Sequence, residues 1–128
     1  MMAFASDWHE QEGDPQTGRL WRWTTDRSTI EIRNTRGDVR LTIEGESPLL
    51  NFDRPPVVVV AAGGAELARF NPAADFRQTI DVPAGVLAAA GGRVTIATDL
   101  VFVPGEREAS PDRRRLGLRI LDVQVTGR

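Results

Sequence analysis

Two kinds of side chain in this sequence are of a type that could recognise a ligand. Trp8, Trp21 and Trp23 are its three tryptophans. An indole offers a flat apolar face and one N–H donor, the combination that packs on the apolar side of a pyranose ring. Trp21 and Trp23 stand two apart, so in an extended chain they share a side. They form either a stacking platform or a piece of the core, where large aromatics are usually buried. Trp8 lies in irregular sequence near the N-terminus and is the more exposed candidate. The second kind is the run Asp112-Arg113-Arg114-Arg115. Guanidinium forks grip a phosphate or a uronic acid carboxylate. They close equally well on an acid of their own chain, and one half-buried arginine paired with Asp112, Glu12 or Asp99 would pin the loop while the others stay in water. Adjacent residues of an extended run point to opposite sides, so the three arginines cannot share one task. The candidate ligand-binding residues are therefore Trp8, Trp21, Trp23, Asp112, Arg113 and Arg114.

Other chemistries find little to work with. His9 is the sole histidine, cysteine is absent, and no serine stands in a nucleophile motif. No glycine-rich run leads from a strand into a helix as a phosphate loop requires. Nothing among the 18 acids selects the carboxylate pair of a glycosidase. The expectation is a non-enzyme. Loop acids Asp99, Asp112, Glu106 and Glu108 are of the type that holds a structural calcium, but their spacing matches no calcium loop, so no cofactor is expected. A formal net charge of -2 gives no field to recruit nucleic acid. All 16 basic residues are arginine, and alanine, glycine and proline are plentiful, a usage that points to a GC-rich bacterial genome.

The elements that must position these groups read as strands. Hydrophobic residues make up 41% of 128 positions, enough for one domain with a core that needs no disulfide. The longest apolar run, Val57 to Ala62, is far short of a membrane span, and Met1-Met2-Ala3-Phe4-Ala5-Ser6 lacks the regions of a signal peptide. A soluble domain is expected. Residues 1–18 form an arm pinned by Trp8, and residues 19–128 the domain proper. Leu20 to Thr25 is rich in strand formers. Thr29 to Arg33 and Val39 to Glu44 alternate with period two, and the two runs are candidates for a hairpin. Gly45 to Pro56, with three prolines, reads as a loop that crosses between sheets. Val57 to Ala61 suits the interior of a sheet. Gly63-Gly64 marks a tight turn into Glu66 to Phe70, whose register is ambiguous. Phe76, Gln78, Ile80 and Val82 share a side. Pro83 to Ala90 allows one or two helical turns, closed by Gly91-Gly92. Arg93 to Thr98 and Leu118 to Val125 complete the set. Seven to nine short strands, with at most one short helical turn near 84–90, predict an all-β antiparallel two-sheet sandwich of jelly-roll type.

One ordered set of short motifs adds to this. Trp8-His9 with Glu12, Trp21-Arg22-Trp23-Thr24, Val82-Pro83, Phe102-Val103-Pro104 and Asp112-Arg113-Arg114-Arg115-Leu116-Gly117 cover nearly the whole chain. Together they resemble the carbohydrate-binding-module-like β-sandwich domains that accompany bacterial membrane-bound glycosyltransferases and other cell-envelope polysaccharide proteins. The resemblance departs after Trp8, where His9 and Glu10 replace an aromatic residue and a proline. It implies a jelly-roll sandwich with an accessory, non-catalytic role, in contact with carbohydrate or glycolipid beside a glycosyltransferase at the cell envelope. The competing expectation is a structural or protein-interaction domain with no sugar ligand.

Overall fold

The computed structural model describes residues 1–33, 36–107 and 109–128, apart from the side chain of Arg107. Its described residues form ten strands: β1 Met2–Phe4, β2 Glu12–Gly13, β3 Leu20–Trp23, β4 Arg27–Ile32, β5 Val39–Glu46, β6 Val58–Ala62, β7 Ala65–Phe70, β8 Asp75–Val82, β9 Arg93–Thr98 and β10 Arg119–Gly127. They pair, antiparallel throughout, into two five-stranded sheets with orders β1-β4-β9-β6-β7 and β2-β3-β10-β5-β8. The molecule is thus an all-β two-sheet sandwich. The chain stays within one sheet only at β2–β3 and β6–β7 and crosses at every other connection.

Alternation explains the layering. Ile30 and Ile32 on β4, Val94 and Ile96 on β9, and Val58 and Val60 on β6 turn inward from the first sheet. Val39, Leu41 and Ile43 on β5, with Ile80 and Val82 on β8, meet them from the second. Each is at most 4% exposed, so the desolvated layer is continuous.

Several details differ from the sequence reading. The runs at Thr29 and Val39 do not form a hairpin: β4 pairs with β1 and β9, and β5 with β10 and β8, in opposite sheets. The strands number ten rather than seven to nine because two very short ones, β1 and β2, are supplied by the N-terminal arm. The expected helix appears as α1 Ala84–Ala89, but a second turn, α2 Pro104–Arg107, and a 3-10 turn at Leu49–Asn51 accompany it. The ambiguity at Glu66 to Phe70 has a physical source. Val60 faces Ala68 while Ala61 faces Glu66, so Leu67 is the extra residue of a β-bulge. Gly63, in the β6–β7 turn, has φ of 58°, which a side chain would strain. Between the Thr29 and Val39 runs, Asn34 and Thr35 lie outside the described residues.

No helix among the described residues is long and apolar enough to cross a membrane.

Candidate functional site

The two tryptophans of β3 belong to the outside of the sandwich. Arg22 lies opposite Ile120, which is buried in the core, while Trp23 lies opposite Arg119. Facing residues of an antiparallel pair share a side, so Trp21, Trp23 and Arg119 project from the outer face of the second sheet. The choice between core and platform resolves toward a half-buried surface position. Trp23 packs edge-on against Phe102, with ring centroids 5.7 Å apart, and Phe102 in turn meets Phe52 at 6.0 Å. Arg119 lays its guanidinium over the Trp21 ring at 3.8 Å. The Trp21 indole N–H donates to Glu12 Oε2 at 3.0 Å. That of Trp23 has no acceptor among the described residues.

Phe102, Pro104, Ser110, Asp112, Arg114 and Leu116 lie against this face, and local turn chemistry shapes their backbone. The Asp112 N–H donates to Ser110 Oγ at 3.1 Å, and the Arg114 N–H donates to Asp112 Oδ1 at 3.0 Å, two side-chain turns in succession. The Gly105 N–H donates to the Asp112 carbonyl at 2.7 Å, and Phe102 pairs with Leu116 in an isolated bridge. Thr24, wholly buried, ties the return strand: its backbone bonds Gly117 and Leu118, and its Oγ1 accepts the Leu118 N–H at 2.9 Å. Gly117 is required there, since a Cβ would stand 2.6 Å from Thr24 Oγ1 and 2.7 Å from the Thr25 carbonyl oxygen.

Arg114 is the hinge of the charged cluster. Its Nε and Nη2 donate to both oxygens of Asp112, at 2.8–3.2 Å, and Nη2 also reaches Glu12 Oε1 at 3.1 Å. The side-chain bonds from Arg114, and after them its backbone N–H, hold the Asp112 carboxyl down at about 2; Asp112 first, and then Glu12, raise Arg114 in turn. Glu46 continues the network, paired with Arg19 and 3.7 Å from Arg119 Nη1. Arg114 is therefore the half-buried clasp anticipated as one alternative, while Arg113 and Arg115 are exposed.

Together these groups line a groove of about 640 Å³ between the β3–β10 end of the second sheet, the Pro48–Asn51 loop and the 102–116 segment. Trp21, Trp23, Asp112 and Arg114 are all on its wall. Trp8 and Arg113 are not. Trp8 is half-buried, donates its indole N–H to the Thr29 carbonyl at 2.8 Å and stands edge-on to Phe4 at 4.8 Å, so it fastens the arm. Arg113 turns away to donate to the Ser110 carbonyl at 2.9 Å. Sequence reasoning missed Arg119, Glu46, Ser47 and Asp75 on the groove wall. The outward position of Arg119 between Leu118 and Ile120 was visible in the alternation; its neighbours across the sheet were not.

Among the described residues no group of three acidic or histidine side chains converges to hold a metal ion. Of the acids named for calcium, Asp99 is bound to Arg54 and Asp112 to Arg114, Glu106 is exposed, and Glu108 lies outside the described residues.

No family model matches this sequence, and no curated protein matches it either.

Proposed function

We propose that this sandwich is a non-catalytic module that holds a saccharide in the groove beside Trp23, as an accessory to a membrane-bound glycosyltransferase of a bacterial cell envelope. Trp23 carries the reading. Its ring is fixed by Phe102, its N–H is free among the described residues, and it borders a concave site with charged groups already oriented by one another. A pyranose stacks its C–H face on such a ring while carboxylates and guanidiniums orient its hydroxyls. The envelope role and the glycosyltransferase draw on the sequence resemblance. A non-catalytic role draws on the sequence, where His9 is the sole histidine, cysteine is absent and nothing selects a glycosidase carboxylate pair.

The test is retention of the chain on a glycan array, repeated with Trp23→Ala. Binding to at least one glycan is expected, weakened by about tenfold or more in the variant because the stacking surface is gone. Failure of the unaltered chain to retain any glycan would remove the reading. A protein-docking role is the second reading, and Leu50 favours it: this leucine is fully exposed at the lip of the groove. On that reading Leu50→Ser, and not Trp23→Ala, would abolish association with the neighbouring domain.

A further inference from the structure

The groove has a direction. Trp23 on β3 faces Arg119 on β10, Arg119 faces Glu46 on β5, and Glu46 faces Asp75 on β8. These four residues form one row across the outer face, spanning three strand spacings or about 14 Å. That is longer than one pyranose ring. The row begins at an aromatic platform and ends at a carboxylate.

Charge along it is uneven. Four carboxylates line the groove, Glu12, Glu46, Asp75 and Asp112, against two guanidiniums, Arg114 and Arg119. Arg114 binds Asp112 and Glu12, while Arg119 lies over Trp21 with its Nη1 3.7 Å from Glu46 and its buried Nε without a hydrogen-bond partner. Asp75 is exposed and has no cationic partner among the described residues. It stands directly across the ladder from Glu46, whose own carboxylate is paired with Arg19. Next to Glu46 on the groove wall, Ser47 is only 8% exposed and its buried Oγ has no hydrogen-bond partner. Buried hydroxyls are rarely left so in the absence of a ligand or water.

From this row we infer that the groove selects an amino sugar, an oligosaccharide stacked on Trp23 whose ammonium group is received by Asp75 at the far end. The inference rests on the saccharide reading above and narrows it: carboxylates outnumber guanidiniums four to two along the wall, so a cationic sugar is preferred to one carrying carboxylate or phosphate.

Calorimetric titration of the chain with the trisaccharides of glucosamine, N-acetylglucosamine and galacturonic acid separates the possibilities. The glucosamine trimer should bind about tenfold more tightly than its acetylated counterpart, as a charge-assisted bond is gained, and more tightly than the galacturonate trimer. Asp75→Asn should bring the amine down to the acetylated level and leave the latter unchanged. Asp122→Asn, on the same face outside the groove, should alter neither. Equal affinities, a preference for galacturonate, no effect of Asp75→Asn, or an equal effect of Asp122→Asn would each overturn the amino-sugar inference. In those cases the saccharide reading survives as long as Trp23→Ala weakens whatever binds. If no glycan binds at all, both fall.

Discussion

Apolar side chains pack in two places in this molecule, and the two are built by different rules. Between the sheets, Ile30, Leu41, Val60 and Ile96 come from long strands, each no more than 1% exposed and each placed by simple alternation. Outside the second sheet, Phe102, Leu116, Trp23 and Phe52 come from separate segments and meet through an isolated bridge, single edge-on contacts and the ties to Thr24. The first assembly excludes water on all sides. The second leaves Trp23 and Trp21 half-buried, with a charged network along the open side. The core supplies stability, and the annex holds aromatic rings half-buried at a surface.

The largest effect should follow from opening the core. Leu41→Ala removes a wholly buried side chain from the middle of β5 and should cost about 3 to 4 kcal/mol in denaturant unfolding. A loss below about 1 kcal/mol would mean that the sheets can close over the space, and the contrast with the annex would lose its basis.

A smaller and more local effect is expected from Gly117→Ala. The added methyl group must displace Thr24 Oγ1 or the Thr25 carbonyl, which costs about 2 kcal/mol. Hydrogen exchange should quicken first at Leu116 and Leu118, whose amides bond Phe102 and Thr24, while the amides of β5 keep their protection. Uniform acceleration across both sheets would show that the annex is not a separate unit.

These regions also differed in how far they could be read from sequence. Alternation at Thr29–Arg33, the β-branched run at Val57, and the Gly63-Gly64 and Gly91-Gly92 stops were sufficient to find the core strands, because period two is a local property. Partners were harder. Thr29–Arg33 and Val39–Glu44 look like two arms of a hairpin, yet they lie in opposite sheets, and nothing in either run encodes that. Bulges at Leu67 and Leu121 each shift a register by one residue, and a single slip reverses the apparent face. At the candidate site, the Asp112–Arg114 tie was foreseeable, since a short acid two residues before a donor forms its own turn. The Trp23–Arg119–Glu46–Asp75 row was not, because it joins four strands that are far apart in sequence and adjacent only after the sheet has formed. Arg22 between the tryptophans disguised the pattern further. An arginine on the core side is unexpected, and here it is accommodated by stacking on Phe4 at 4.5 Å and by donating to the His9 carbonyl at 3.1 Å.

The smallest effect, and the one that separates the two regions most cleanly, is in the acid limb of stability. The Asp112 carboxyl sits at about 2 in the folded chain against an ordinary value of 3.8, because Arg114 bonds its ionised form. A carboxyl with a lowered folded pKa binds fewer protons than in the unfolded chain. Its contribution is complete above about pH 4 and is lost as the pH falls from there toward 2. Glu31, held low by Arg33, loses its contribution in the same direction; so does Asp99, which burial pushes up but Arg54 and the Val57 N–H bring down overall. The informative quantity is therefore a difference. The stability gap between the unaltered chain and Arg114→Gln should be constant from pH 7 to 5 and should close between pH 4 and 2. The gap made by Leu41→Ala should not respond to pH, because no proton is involved in filling that space. An Arg114→Gln gap that persists unchanged to pH 2 would mean that the clasp holds the chain around Asp112 by shape alone.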